Sequence, residues 1–205
     1  MCYLTLILCM AFAFVLGSIP FGLVIAKTIK GIDPRKAGSG NIGSTNVARL
    51  CGWPCGVLTL FCDIMKGTLP VLIAVHFMPE QFWQSLVALC AVLGHIKSPF
   101  LGFKGGKGVA TTIGALIPLA FLPLLCAVAC FFVVVFITRY VSLSSILGAV
   151  GFCVSFAVLH WQEPVVAVIG VVIGLLAIFM HRANIKRLLE GTEKKATFSK
   201  FKKKK

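Results

Sequence analysis

The sequence predicts an all-α integral membrane protein with seven transmembrane helices, and its composition and hydropathy pattern support that prediction. Of its 205 residues, 59% are hydrophobic and 13% are charged, and the mean hydropathy is +0.99. A soluble domain is about 45–50% apolar and about 25% charged. A soluble chain of this length could not bury so much apolar surface. A soluble enzyme and a disordered chain are therefore both excluded.

The candidate spans follow one another from the first residues to about residue 180. A membrane helix needs about 20 apolar residues, with about 17 as the lower limit. The apolar segments with little or no charge are residues 1–26, 54–77, 82–96, 109–138, 142–160 and 164–180. The first is too long and too uniformly apolar for a cleavable signal peptide. Residues 109–138 fit either one long tilted helix or a hairpin of two short helices.

The distribution of Lys and Arg decides between these alternatives. The chain has 20 basic and 6 acidic residues, a net charge of +14, and basic residues concentrate in cytoplasmic loops of membrane proteins. A break near 118–123 puts every basic cluster on the cytoplasmic face. The result is seven helices, with the N-terminus outside and the C-terminus in the cytoplasm. We therefore divide the chain into a single seven-helix transmembrane domain, residues 1–185, and a basic cytoplasmic tail, residues 186–205.

In this arrangement, most of the positive charge serves to orient the protein in the membrane and to attract anionic membrane lipid. No zinc-finger, RRM or helix-turn-helix pattern accompanies the basic residues, so we expect no nucleic-acid partner. The His and Cys residues have no metal-ligand spacing, so we expect no metal and no cofactor. Asp63 and Lys66 lie three residues apart in the second span, on one helix face. This spacing favours an internal ion pair that fixes helix packing, with a catalytic role as the alternative.

The first cytoplasmic loop reads G-S-G-N-I-G-S-T-N-V-A-R from residue 38 to residue 49. Its glycines allow backbone N–H groups to converge on an anion, and its hydroxyl, amide and guanidinium groups are further donors. The pattern predicts a phosphate-binding loop, and a flexible polar turn is the alternative. The candidate residues are Ser39, Gly40, Asn41, Gly43, Ser44, Asn46 and Arg49.

The second loop reads L-G-F-K-G-G-K-G from residue 101 to residue 108 and leads into a helix. It is not a nucleotide-binding P-loop, because Leu101 occupies the first Gly position and Gly108 follows Lys107. Lys104 and Lys107, a helix N-terminus and free backbone N–H groups would together attract an anion. Further donors lie at other cytoplasmic helix ends, namely Ser142, Ser145, His181 and Asn184. These segments predict an active site at the cytoplasmic face for two phosphorylated molecules.

At these motifs the chain resembles the bacterial acyl-phosphate:glycerol-3-phosphate acyltransferase family. The matching motifs are G-S-I-P-F-G (17–22), the first loop (38–49), D-I-M-K-G (63–67), G-H with F-L-G-F-K-G-G-K-G-V-A-T (94–111), R-Y-V-S-L-S-S (139–145) and H-R-x-N (181–184). The resemblance implies a seven-helix enzyme of the bacterial inner membrane. It would transfer a fatty acyl group from acyl phosphate to the sn-1 hydroxyl of glycerol 3-phosphate, forming lysophosphatidic acid and inorganic phosphate, the first acylation of bacterial phospholipid synthesis.

Acyl phosphate is an activated mixed anhydride, so such an enzyme mainly has to position two phosphates and stabilise developing charge. We assign acyl phosphate to Ser39, Gly40, Asn41 and Gly43, completed by Ser142 or Ser145. Glycerol 3-phosphate is expected at Arg49, at Lys104 or Lys107, at His181 and at Asn184, with Ser44 and Asn46 as further binding residues. Direct catalytic roles are expected for Ser39, Asn41, Lys107, Ser145 and His181.

We find no carboxylate suitably placed in the sequence to act as the base. The donor's own phosphate would then accept the hydroxyl proton, and His181 is the competing base. The alternative function is a membrane transporter of an organic phosphate, which would also need polar groups and basic loops. Against it, the polar residues concentrate on one face and leave no evident exit gate.

Overall fold

The computed structural model describes residues 3–196, and all regular structure within them is helical. The predicted all-helical architecture is therefore confirmed. The basic end of the tail, residues 197–205, lies outside the described residues. The helices are α1 (Tyr3–Ser18), α2 (Phe21–Lys30), α3 (Ser44–Cys51), α4 (Trp53–Phe77), α5 (Gln81–Ile96), α6 (Val109–Leu116), α7 (Phe121–Thr138), α8 (Val141–Leu159), α9 (Pro164–Phe179) and α10 (Arg182–Leu189), with a 3-10 turn at Pro99–Leu101.

Several helical segments are long and apolar enough to cross a membrane. The described residues contain five of them: Tyr3–Lys30, Trp53–Phe77, Gln81–Leu101, Phe121–Thr138 and Val141–Leu159. A sixth is present if α9 and α10, which are bent by 51° relative to each other, count as one span. The chain thus has the helices of a multi-pass membrane protein, and the count of seven stays a prediction.

The ambiguous segment 109–138 forms two helices, α6 and α7, with the break at 117–120. Pro118 lies in this break, where its missing N–H and its ring disfavour a continuous helix. Helix α6 has eight residues and is therefore about 12 Å long at about 1.5 Å per residue. The hydrocarbon core of a bilayer is about 30 Å thick. The predicted division is present, and α6 is shorter than a full span.

Glycines let the helices pack with direct backbone contact, as small residues do in membrane proteins. A Cβ atom at Gly17 of α1 would lie 2.2 Å from the carbonyl oxygen of Ala91 in α5. A Cβ atom at Gly114 of α6 would lie 2.0 Å from the carbonyl oxygen of Ile64 in α4. These contacts fix α1 against α5 and α6 against α4, and so place the loop that precedes α6.

The predicted ion pair in α4 is confirmed: Lys66 Nζ lies 2.8 Å from Asp63 Oδ1. Lys66 Nζ also donates, over 2.8 Å, to the carbonyl oxygen of Ile19, in the short break between α1 and α2 that precedes Pro20. His95 Nδ1 of α5 lies 3.8 Å from Asp63 Oδ1 and 3.0 Å from Thr111 Oγ1 of α6. Asp63, Lys66 and His95 are at most 3% exposed. The pair and His95 together therefore link α4, the break between α1 and α2, α5 and α6.

Candidate active site

Asn46 organises the first glycine-rich loop from its centre. Its side chain is 2% exposed, and its Oδ1 accepts a hydrogen bond of 2.9 Å from the backbone N–H of Ser39. Its Nδ2 lies within hydrogen-bond distance of the carbonyl oxygens of Asn41 (2.8 Å), Pro34 (3.0 Å) and Ala37 (3.2 Å). The loop is therefore a folded structure held by one amide, and it is not the flexible polar turn of the alternative interpretation.

Three backbone N–H groups of this loop, those of Ser39, Gly40 and Gly43, are already bonded within it. Ser39 N–H donates to Asn46, Gly40 N–H donates to the carbonyl oxygen of Ala37, and Gly43 N–H donates to Asn41 Oδ1 over 2.8 Å. These three N–H groups are therefore engaged by the loop itself, and anion binding by the loop stays a prediction. What the loop presents outward is side chains, with Ser39 exposed and Asn41 half-buried.

The glycines of the loop have a conformational reason. Gly38 and Gly40 have φ values of +68° and +70°, in the left-handed region that favours glycine. Asn46 also explains why Gly38 lacks a side chain, because a Cβ atom there would lie 2.2 Å from Asn46 Oδ1. These positions give the loop its shape, and Ser44 begins α3 directly after it.

The charged residues around the first loop fall into two kinds. Arg49 is exposed in the last turn of α3. Asp33 is paired with Arg35 Nη2 at 2.7 Å and lies 3.9 Å from Lys27 Nζ. The hydrogen bond from Arg35 holds the pKa of the Asp33 carboxyl well below its usual range. Asp33 is thus an ionised partner of Arg35, while Arg49 is available to a ligand.

The second glycine-rich loop packs against the end of α5. Gly105 N–H donates to the carbonyl oxygen of Ile96 over 3.0 Å, and Gly106 N–H donates to that of His95 over 3.2 Å. These two N–H groups are therefore engaged by α5, and anion binding by the rest of the loop stays a prediction. A Cβ atom at Gly106 would lie 2.3 Å from His95 Nε2. The glycines serve close packing, and the lysines are what the loop offers to a ligand.

The two lysines of this loop have different surroundings. Lys104 is exposed, whereas Lys107 is half-buried. Burial lowers the pKa of Lys107 to about 8, with nearby Glu193 raising it and nearby Arg187 lowering it. The structure therefore brings Lys107, and not Lys104, to the charged groups at the C-terminal end of the described chain.

Those groups form what we call the Glu193 cluster, consisting of Ser142, Asn184, Arg187 and Glu193. Glu193 Oε1 accepts hydrogen bonds of 2.7 Å from Ser142 Oγ and of 2.7 Å from Asn184 Nδ2. Glu193 Oε2 accepts a hydrogen bond of 2.6 Å from Arg187 Nε. The cluster joins the start of α8 to α10 and lies beside Lys107. The Glu193 side chain is 9% exposed, and both of its carboxylate oxygens accept hydrogen bonds.

The chain reaches this position by folding back after α10. Gly191 has a φ of +69°, a conformation that favours glycine at a helix end. Glu193 N–H then donates to the carbonyl oxygen of Arg187 over 3.1 Å, and Ala196 N–H donates to that of Arg139 over 2.7 Å. The predicted domain boundary at residue 185 falls within α10, and the first residues of the predicted tail contact α8.

Of the two candidate serines in α8, the structure brings Ser142 into the cluster. The Ser145 hydroxyl donates to the carbonyl oxygen of Val141 over 2.9 Å, within its own helix. Ser142 is 5% exposed and its hydroxyl donates to Glu193. Ser142, at the start of α8, therefore contacts the segment that follows α10, whereas the Ser145 hydroxyl is bonded within α8.

His181 precedes α10 and is 2% exposed. Its Nδ1 lies 2.7 Å from the carbonyl oxygen of Ala177. Since a carbonyl oxygen can only accept, Nδ1 carries the proton, and Nε2 has a lone pair. His181 thus has one nitrogen fixed by the helix and one able to accept a hydrogen bond or a proton.

Two residues of the cluster were not predicted from the sequence. Glu193 is a carboxylate within hydrogen-bond distance of Ser142 and Asn184, and the expectation that no carboxylate is placed to act as the base stays a prediction. Arg187 follows Asn184 by three residues, so helical spacing alone could have placed it on the same face. Glu193 had no such signal, because it follows the helix end and its position depends on the returning chain.

The predicted site residues fall into two groups in the structure. The first loop and Arg49 lie at α3, and Lys107 lies beside the Glu193 cluster, with His181 at the start of α10. Within residues 3–196, no hydrogen bond or ion pair joins the loop of residues 34–46 to the Glu193 cluster. The same residues contain no group of three or more His, Cys, Asp or Glu side chains that could hold a metal ion.

The sequence profile of the glycerol-3-phosphate acyltransferase family matches residues 7–191. The chain belongs to that family. It is 48% identical over 191 residues to the glycerol-3-phosphate acyltransferase of Desulfovibrio desulfuricans, covering 92% of this chain and 83% of that one. It is also 48% identical over 191 residues to that of Nitratidesulfovibrio vulgaris, covering 92% of this chain but only 57% of that longer relative.

Solved structures show the same fold. The crystal structure of PlsY (YgiH), an integral membrane glycerol 3-phosphate acyltransferase, in its glycerol 3-phosphate form matches with a TM-score of 0.88 and 41% identity, covering 94% of this chain and 96% of that one. Its lysophosphatidic acid form matches with a TM-score of 0.85 and 40% identity, covering 94% and 95%. The predicted family, the prediction of an acyltransferase and the multi-pass α-helical membrane fold are thereby confirmed.

Proposed function

We propose that the protein transfers a fatty acyl group from acyl phosphate to the sn-1 hydroxyl of glycerol 3-phosphate. The observation that carries this proposal is the concentration of a partly buried lysine, Lys107, with the polar donors of the Glu193 cluster at one end of an apolar helix bundle. The relatives named above and the glycerol 3-phosphate and lysophosphatidic acid forms of PlsY support the acceptor and the product.

In the proposed reaction, the sn-1 oxygen of glycerol 3-phosphate forms a bond to the acyl carbonyl carbon. The bond between that carbon and the phosphate oxygen breaks. The hydroxyl proton passes to the departing phosphate, so the products are 1-acyl-glycerol 3-phosphate (lysophosphatidic acid) and inorganic phosphate. The product is the first acylated intermediate of bacterial phospholipid synthesis.

For the acceptor, we propose that Lys107 binds the phosphate group as a cation. Arg49, which the sequence assigns to the same phosphate, lies with the first loop at α3. His181 Nε2 and the side-chain amide oxygen of Asn184, Oδ1, are suited to the glycerol hydroxyls, because both accept hydrogen bonds. The Asn184 amide is oriented for this role, since its Nδ2 is held by Glu193. The sequence left open whether Lys104 or Lys107 binds this phosphate. We assign that role to Lys107, because Lys104 is exposed.

For the donor, we propose that side chains of the first loop bind the phosphate of acyl phosphate. The candidate hydrogen-bond donors to this phosphate are the Ser39 and Ser44 hydroxyls and the Asn41 amide. Gly40 and Gly43 would allow the phosphate to approach the loop closely. Neither candidate serine of α8 has a free hydroxyl hydrogen to complete this pocket, because Ser142 donates to Glu193 and Ser145 donates to the carbonyl oxygen of Val141. Asn46 supports this pocket by fixing the loop and has no free role in binding.

For the proton, we propose that the donor's phosphate acts as the base. Burial alone would raise the pKa of Glu193, but hydrogen bonds from Ser142, Arg187 and Asn184 outweigh it, and the pKa lies below its ordinary value. A carboxylate stabilised in its ionised form is a weak base. The competing base is His181, through its Nε2 lone pair.

The His181→Gln variant separates these two bases. If the donor's phosphate accepts the proton, the variant keeps a maximal rate within about threefold of the wild type and binds glycerol 3-phosphate more weakly, since only a hydrogen bond is changed. Initial rates at saturating concentrations of both substrates measure this. Loss of the maximal rate by about 100-fold or more is the signature of a lost general base and would contradict the proposal.

We further propose a bacterial inner-membrane enzyme with seven spans, an external N-terminus and a cytoplasmic active site that receives the acyl chain from the bilayer. The basic loops support this orientation. Reporter fusions at Leu122, in the outer end of α7, and at the C-terminus test it. We expect an external signal at Leu122 and a cytoplasmic one at the C-terminus, and an external C-terminus would overturn the seven-span topology.

The decisive assay for the reaction uses the purified protein with glycerol 3-phosphate and an acyl donor. We expect one lysophosphatidic acid and one inorganic phosphate per turnover with acyl phosphate, and no product with the acyl-CoA of the same chain length. Equal rates with acyl-CoA would overturn the donor assignment. No product with any donor, together with uptake of glycerol 3-phosphate into proteoliposomes, would instead favour the organic-phosphate transporter.

A further inference from the structure

We infer that Arg187 binds the phosphate of the acceptor and that Glu193 is the positioning residue that holds Arg187 in place. This inference rests on the proposed function, because it takes glycerol 3-phosphate as the acceptor. Both residues lie outside the set of residues predicted from the sequence. Glu193 also lies beyond residues 7–191, to which the family profile extends.

The hydrogen bonds of Arg187 show which of its atoms are available. Its Nε donates to Glu193 Oε2 over 2.6 Å. Within residues 3–196, its two terminal nitrogens donate to no acceptor. The side chain is 35% exposed, so it is not enclosed by the protein. A guanidinium held by Nε presents its terminal N–H groups as a fixed fork, the geometry that matches two phosphate oxygens.

Arg187 also has the right neighbours. It lies close enough to Lys107 for its charge to lower the pKa of that lysine. The positive charges of Lys107 and Arg187 repel each other. A divalent anion such as a phosphate group that binds between them reduces this repulsion. Asn184, which we assign to the acceptor, shares the α10 face with Arg187 and shares the same carboxylate as its partner.

A carboxylate suits the position of Glu193 because it only accepts hydrogen bonds and has about four lone-pair sites. It receives three donors from two helices, Ser142 of α8 and Asn184 and Arg187 of α10. A glutamine of the same shape has a single acceptor oxygen, and its NH₂ group would face one of the donors. Ordering these donors before the substrate arrives reduces the entropy lost on binding.

The test compares Glu193→Gln with a matched control, Glu190→Gln, in a two-substrate assay. Glu190 is three residues away, is exposed, and makes only a surface ion pair of 3.8 Å with Lys186. We expect Glu193→Gln to raise the KM for glycerol 3-phosphate about 10- to 100-fold, as expected for charged hydrogen bonds. The KM for acyl phosphate should change less than about twofold, and the control should match the wild type.

The second variant is Arg187→Lys, which keeps the charge but loses the fork. We expect it also to raise the KM for glycerol 3-phosphate, by about tenfold, because a lysine cannot bind two phosphate oxygens in that geometry. Calorimetric binding of glycerol 3-phosphate to the purified protein gives the same comparison without turnover. Equal affinity in Arg187→Lys and the wild type would overturn the role of Arg187.

A pH profile tests whether Glu193 is ionised beside Lys107. The groups whose charges act on Lys107 are Glu193, which raises its pKa, and Arg187, which lowers it. His181 also lies near Lys107. If Glu193 is ionised beside the acceptor site, the alkaline inflection in kcat/KM for glycerol 3-phosphate, expected near pH 8, moves to lower pH in Glu193→Gln. An inflection that stays in place would mean that the Glu193 charge does not act on Lys107.

Three outcomes would overturn the inference. The first is an unchanged KM for glycerol 3-phosphate with an unchanged inflection. The second is a lower KM in Glu193→Gln, which would mean that the carboxylate competes with the substrate phosphate. The third is an equal loss for both substrates, the signature of impaired folding. A wild-type protein that forms no product would overturn the proposed function instead, and calorimetry would still test the acceptor site.

Discussion

Asp63 and Glu193 are both carboxylates paired with a cation, but their surroundings differ. Asp63 lies inside the bundle with Lys66, whose ammonium also donates to the carbonyl oxygen of Ile19. Glu193 lies at one end of the bundle, and its partner Arg187 keeps its terminal nitrogens free of acceptors within residues 3–196. The first pair is enclosed by helix packing, and the second faces a region that a ligand can enter.

This difference shows how the same interaction serves two purposes. A buried pair whose groups are engaged inside the protein contributes to helix packing, and breaking it exposes an uncompensated charge. A partly exposed pair with unused donors holds those donors ready for a substrate. Substitutions at the first pair should therefore affect stability, and substitutions at the second should affect binding.

The largest effect is expected from Asp63→Asn. It leaves the Lys66 ammonium buried without a counter-charge, and removal of one partner of a buried pair costs about 3–5 kcal/mol. We expect a large decrease in the free energy of unfolding, measured by denaturation in detergent micelles. The double variant Asp63→Asn/Lys66→Met removes both charges and should recover most of this loss. A change below about 1 kcal/mol in the single variant would mean that the pair is not structural.

A smaller effect, confined to one substrate, is expected from Asn46→Ala. This change removes the amide that holds the backbone of the first loop and of the residues just before it. The backbone groups that lose their partner are left unpaired, and each unpaired buried polar group costs about 1–3 kcal/mol of stability. We expect the KM for acyl phosphate to rise about tenfold, with little change for glycerol 3-phosphate. Steady-state kinetics with each substrate varied in turn measure both values. A rise for glycerol 3-phosphate alone would contradict the division of the site.

The pH dependence of Lys107 tests the end of the bundle that faces substrate. Its folded pKa of about 8 lies below the ordinary value of 10.5, so it loses its charge as the pH rises through about 8. We expect kcat/KM for glycerol 3-phosphate to fall about tenfold per pH unit above that point. Lys107→Arg, which stays charged, should remove this decline. A flat profile for the wild type up to pH 10 would contradict the assignment.

The smallest effect is expected from Lys104→Met, the neighbour of Lys107 in the same loop. Lys104 is exposed, and a solvent-screened charge contributes little. We expect the KM for glycerol 3-phosphate to change by no more than about twofold, whereas Lys107→Met should raise it at least tenfold. Equal effects of the two substitutions would mean that both lysines contact the phosphate.

Local patterns predicted much of this structure. The spacing of Asp63 and Lys66 gave their pairing, because it depends on helix geometry alone. The distribution of basic residues placed the break within residues 109–138. The side chains of the two loops that can donate hydrogen bonds could be recognised from their residue types. The hydrogen bonds of the Gly105 and Gly106 N–H groups could not be predicted, because their acceptors belong to α5. Glu193 could not be placed, because its position depends on a backbone contact between Ala196 and Arg139.

The central claim is that the protein has two phosphate sites, one at the first loop for acyl phosphate and one at the Glu193 cluster for glycerol 3-phosphate. Two-substrate kinetics of Ser39→Ala and Asn184→Ala test it most directly. We predict that Ser39→Ala raises the KM for acyl phosphate and Asn184→Ala raises that for glycerol 3-phosphate, each leaving the other KM within about twofold. An increase of the same KM by both variants would contradict the account.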